Sequence, residues 1–256
     1  MPVKALLCLL DKNQDGVFEE AALRNTGFAT GALSWREVES QPGGWMQLLP
    51  LLEDEDIKLC LFSGFSDEYG YEFIYQLTML TLALRRPKLP LMAFVLDNGG
   101  VAPDFPPIMQ HIMFLNRQSA FAPKLMAAAF KRNVELLKPF HIAAHVDSLI
   151  GAWLEIGPDD SSDNWPGFMA GVLDGGISAF AVGPRGVIPK KAKLIYPVFG
   201  IKGNWNEYSF TACAAKNTLD VHTSCYIQIE DAMKGLLVGA YPDEASAMEA
   251  RIIAFC

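Results

Sequence analysis

The chain has 256 residues, enough to bury a full core and close to the size at which one domain still suffices. Hydrophobic residues make up 51% and charged residues 20%, a balance that excludes a disordered segment. The formal charge of −8 argues against nucleic acid as the main partner, since that binding runs on clustered Lys and Arg.

The first apolar run, residues 5–10, is too short for a secretory or membrane-spanning segment. No later run reaches the roughly 18 uncharged apolar residues a membrane helix needs, so a cytoplasmic protein without a membrane partner is expected. Cys8 and Cys60 lie inside apolar runs and no CxxC spacing occurs, which predicts reduced, buried thiols.

In chain order, residues 3–10 read as a buried strand, ended by a polar turn that closes at Gly16. Residues 18–24 and 45–52 read as helices, with mixed sequence between them. Residues 57–62 form a second strand, whose loop opens an apolar helix over 71–85. Residues 89–96 are a third strand. Helical sequence then runs over 108–138 with a break at 119–123. Residues 142–146 and 150–156 look extended, 165–173 helical, and 177–182 and 194–199 extended again. Lys190, Lys191 and Lys193, the densest basic stretch, read as a solvated turn before the last of these strands. The tail carries two amphipathic stretches, 229–237 and 243–255.

Buried strands alternating with helices predict an α/β, Rossmann-like fold: one mostly parallel sheet with helices on both faces. One domain over 1–256 is the expected count, and 101–190 is the segment an insertion or cap would occupy.

In such a sheet, ligands bind outside the carboxyl ends of the strands. The loops there carry Asp11, Asn13 and Asp15, then Ser63, then Asp97. Oxygens at alternate positions followed by Gly16 resemble the opening of a calcium loop, yet Ala22 stands where an EF-hand needs its bidentate Glu. A looser site for a divalent cation, Mg or Ca, would use Asp11, Asn13 and Asp15. The Ser63 loop, between a strand and a helix, would cradle a small anionic molecule.

Asp11 after strand one and Ser63 after strand two also resemble the haloacid-dehalogenase-like phosphatases. That resemblance implies an Asp nucleophile and a phosphate-holding Ser. The chain departs from it at Asn13, where the family has its acid/base Asp, and at Asp15. The expected function is a metal-assisted hydrolase or phosphoester-acting enzyme with Asp11, Ser63 and Asp97 as catalytic groups. The alternative is a non-catalytic acidic interaction protein of immunity type. It would meet a protein partner through exposed acids and the segments around Trp35, Trp45, Trp165 and Trp205.

Two further patterns stand out. His141, His145 and Asp147 resemble the HxxxHxD stretch of metal-dependent cyclases and formamidases, and on a helix or a strand they share one side. Trp153 to Gly157 resembles the first motif of class I methyltransferases, where a strand ends on an acid and a glycine turn.

Overall fold

Apolar runs without alternation can bury both faces of a strand, and three such runs build the centre of one parallel sheet. The computed structural model describes residues 3–10, 16–65, 69–86, 88–96, 102, 104–117, 120–131, 138–243 and 250–255. Contacts divide the chain into two units. The first holds Met1–Gly70, Leu84–Phe105 and Met109–Leu136, and the second Tyr71–Ala83, Pro106–Ile108 and Leu137–Cys256.

In the first unit, strands β1 (Val3–Leu9), β2 (Phe28–Ser34), β3 (Ile57–Ser63), β4 (Leu91–Leu96) and β5 (Met113–Asn116) are all parallel, in the order β2-β1-β3-β4-β5. Strand alternation sends Leu7, Leu61 and Ala93 to one face. There they pack with Leu23 of α1 (Val17–Asn25) and Leu125 of α5 (Phe121–Lys131). The opposite face carries Phe62 and Phe94, stacked with ring centroids 4.8 Å apart. Trp35, at the start of α2 (Trp35–Ser40), meets Phe62 edge-on, and α3 (Leu48–Leu52) leads toward β3. Cys8 and Cys60 are buried free thiols with their sulfurs 3.7 Å apart.

The second unit contains α4 (Tyr71–Ala83) and nine strands: β6 (His141–Asp147), β7 (Gly151–Gly157), β8 (Phe168–Leu173), β9 (Ile177–Pro184), β10 (Val198–Trp205), β11 (Tyr208–Ala215), β12 (Thr223–Ile229), β13 (Gly235–Gly239) and β14 (Ala250–Ala254). They form two antiparallel sheets, β10-β11-β8-β13-β14 and β6-β7-β12-β9. Cys213 of the first and Cys225 of the second are both buried, and burial followed by their mutual contact pushes the Cys225 thiol pKa well up.

These sheets overturn the expected Rossmann-like α/β fold with one mostly parallel sheet. Nine of the fourteen described strands are antiparallel. The reason is that a short apolar run does not distinguish a buried helix from a strand buried on both faces. Residues 168–173, expected to be helical, are instead β8, entirely buried between β11 and β13. Residues 113–116, also expected to be helical, pair with β4 as β5. No helix among the described residues is long and apolar enough to cross a membrane.

Candidate functional site

At the carboxyl edge of the parallel sheet, the Leu10 amide donates to the Ser63 carbonyl at 2.8 Å, which sets the ends of β1 and β3 side by side. Ser63 is fully buried. Its hydroxyl donates to Glu19 Oε1 at 2.8 Å and accepts from Arg117 Nη2 at 3.3 Å. Arg117 also pairs directly with the same Glu19 oxygen. Glu19 lies in the first turn of α1 with 1% of its surface exposed, so the guanidinium and the hydroxyl compensate a buried charge. The Ser63 proton is therefore committed to an internal acid. Asp11, Asn13, Asp15 and Asp97 lie outside the described residues. Sequence reasoning missed Glu19 and Arg117, and Arg117 was hidden because the strand preceding it read as helix.

The metal-binding expectation is corrected. Among the described residues, no group of three or more His, Cys, Asp or Glu side chains is placed to hold a metal ion. His141 and His145 do share one face of β6, but both aim Nε2 at Glu155. His145 Nε2 is 2.7 Å from Oε2 and His141 Nε2 3.1 Å from Oε1. His145 sits at hydrogen-bond distance, which leaves no interval for an ion with ligand bonds of about 2 Å on each side. His141 is close enough for ion pairing without hydrogen-bond alignment. Asp147 points elsewhere: it is exposed and accepts from the Leu149 amide.

Glu155 is thus the centre of a second buried cluster. It sits mid-strand in β7, opposite Ala143 of β6 and Tyr226 of β12. The methyltransferase resemblance implied an acid at the end of a strand, whereas Glu155 is paired within β7 on both sides. The Ser224 hydroxyl and the Gly186 amide each donate to Oε1 at 2.9 Å. Burial opposes ionisation of this carboxyl. His141, His145, Gly186 and Ser224 outweigh it and hold the pKa well below the usual carboxylate range. Burial, followed by the Glu155 charge, pushes the neighbouring Tyr226 hydroxyl up to about 12.

The cluster anchors an arm of irregular chain that follows β9. The Tyr226 hydroxyl donates to the Pro184 carbonyl and accepts from the Val187 amide at 3.1 Å. Arg185 Nη1 binds Asp160 at 2.8 Å, and Nη2 donates to the carbonyls of Pro158 and Asp220. Pro189 lies over Gly183 so closely that a Cβ there would sit 2.7 Å from the proline ring, a packing only glycine permits. Further on, the Ile195 amide donates to Asn217, and Tyr241 donates to the Tyr196 carbonyl at 3.1 Å. The arm is therefore held along its length.

What the arm and β10 present is unusual for an acidic chain. Residues 185–205 contain Arg185, Lys190, Lys191, Lys193 and Lys202 and no Asp or Glu. The lysines here are exposed, and so are Val187, Ile195, Tyr196, Val198, Phe199 and Trp205. Tyr196 is 71% exposed on a strained backbone with φ of +45°, a cost that the anchored arm sustains. Phe180 of β9 stacks on Phe199 at 5.8 Å. β10 is an edge strand, and its register shifts between Phe199 and Ile201, where Gly200 takes a φ of +75°. A bulge and an outward lysine are the usual means of preventing strand addition at an edge. The side chains of this strip, rather than its backbone edge, are what a partner would meet. The three lysines read from sequence as a solvated turn are one part of it.

No protein-family model matches the chain, and no curated protein matches it. Among solved structures, a response regulator receiver domain protein from Bacillus halodurans C-125 is similar over 51% of this chain and 96% of its own. The identity is 13% and the TM-score 0.32, too slight a likeness to carry an argument.

Proposed function

We propose that this chain is an interaction protein that docks an acidic polypeptide on the strip of residues 185–205. The observation that carries the reading is that every charged side chain in this strip is cationic, while the whole chain carries −8. Exposed aromatic and aliphatic side chains lie among the cations, the composition of a protein-binding patch. Residues of β10 are exposed on both faces of the strand, which a flat bilayer cannot cover at once and a polypeptide can.

The test is a titration with poly-L-glutamate and a glutamate–tyrosine copolymer, with phosphatidylserine vesicles as a separate arm. Saturable binding to the polypeptides that weakens as salt rises is expected. The triple reversal Lys190→Glu, Lys191→Glu and Lys193→Glu should weaken it at least about tenfold, and Phe199→Ser should weaken the copolymer more than poly-L-glutamate. Binding unchanged by the triple reversal, no saturable binding, or preference for the vesicles would each overturn the reading.

A further inference from the structure

The attachment of the arm runs through groups that change charge. Imidazole is the side chain whose protonation ordinarily changes between pH 5 and 8, and two imidazoles flank the carboxylate that holds the Gly186 amide. Resting on the reading of residues 185–205 as a docking surface, we propose that His141 and His145 form a proton-operated latch beneath it. With both rings neutral, residues 184–187 are held on Glu155 and Tyr226. With both protonated, the arm loosens.

Electrostatics sets the direction. Counting one carboxylate and two imidazoles, the cluster changes from one net negative to one net positive charge on acidification. The arm above it carries Arg185, which the negative cluster attracts and the positive one repels. Two imidazolium donors also draw the carboxylate charge toward themselves and weaken what Oε1 offers the neutral Gly186 amide.

The remaining groups facing the cluster do not reverse this balance. Asp160 is paired with Arg185 and is a carboxylate throughout this pH range, and Asp220, beside His222 in the turn before β12, binds Arg185 through its backbone carbonyl. Tyr226 stays neutral across the range. Ser224 carries no charge, and on β9 the facing residues are Ala179, Ala181 and Gly183. On β6 itself, Asp147 is turned to the Leu149 amide, and the preceding Lys138 donates to the Ile142 carbonyl.

Hydrogen exchange in the free protein tests the latch without any partner. Referenced to intrinsic rates, exchange at the Gly186 and Val187 amides should rise at least about tenfold between about pH 7.5 and 5.5, the equivalent of one pKa unit of coupling. Amides in the β7–β12 ladder should not follow. The step should vanish in the His141→Gln, His145→Gln double variant, and the histidine NMR signals of the native chain should titrate at the same midpoint. Protection that ignores pH, a step that survives in the double variant, or midpoints that disagree would overturn the latch. Should the double variant not fold, the coincidence of midpoints in the native chain decides alone. Polypeptide binding with no pH step sinks the latch and spares the docking surface, while a pH step without binding does the reverse.

Discussion

Two buried carboxylates show two ways of keeping a charge inside a protein. Glu19 in the first unit is compensated by a guanidinium, which keeps its proton at every pH the fold survives, and by Ser63. Glu155 in the second is compensated by two imidazoles, a hydroxyl and a backbone amide. The first arrangement is permanent and sits at the carboxyl end of β3. The second can gain or lose charge, and it holds a segment whose other side faces solvent. Burial is nearly equal at the two acids, so the difference lies in what answers the charge.

The comparison is broken most severely by removing the permanent partner. Arg117→Met should leave Glu19 buried without its counter-charge and cost about 3–5 kcal/mol in urea unfolding. A loss below about 1 kcal/mol would mean that Glu19 finds water or another donor.

Glu155→Gln keeps the shape and removes the charge, so a smaller loss of about 2–3 kcal/mol is expected at neutral pH. The depressed pKa of Glu155 also fixes a sign. Its contribution to stability is present above the unfolded carboxyl value of about 4.3 and is lost as pH falls below that, toward the folded value. The difference between native and Glu155→Gln proteins should therefore shrink with acidification below about pH 4. A difference that stays constant there would show that the carboxyl is not held ionised.

Tyr226→Phe should cost about 1–2 kcal/mol and raise exchange at Val187 more than anywhere in β12. The raised pKa of the native Tyr226 means that its contribution is whole below about pH 10 and is lost as pH climbs toward about 12. Ultraviolet titration of the phenol checks this, and a midpoint near 10 would contradict the buried environment. Smallest of all, Ser63→Ala leaves Glu19 its guanidinium and should cost about 1 kcal/mol. A loss as large as that of Arg117→Met would make the hydroxyl, not the charge, the main partner of Glu19.

Much of the first unit was legible in the chain because its strands are local statements. Residues 3–10, 57–62 and 89–96 are apolar throughout, bounded by polar turns, and they correspond to β1, β3 and β4. β2 escaped notice: Phe28–Ser34 contains Thr30 and Gly31 and is largely exposed or half-buried, so it carries no run to read. In the second unit the same apolar-run rule failed at β8, because pairing with β11 and β13, both distant in sequence, decided strand over helix. The His141 and His145 pattern was visible, but its meaning was not, since the group it serves was unknown.

The sequence by itself determined the acidic balance, the buried thiols of Cys8 and Cys60, and the cation-only stretch from Arg185 to Lys202. Composition and short apolar runs depend only on neighbours along the chain. Tertiary structure alone decided that Glu155 would meet donors 10, 31 and 69 residues away, at His145, Gly186 and Ser224. It also decided that Ser63 would meet Glu19 and Arg117, and that the basic stretch would be an anchored arm with Tyr196 turned outward. A buried charge must find its partners wherever the fold brings them, and their separation in sequence leaves no local signal to read.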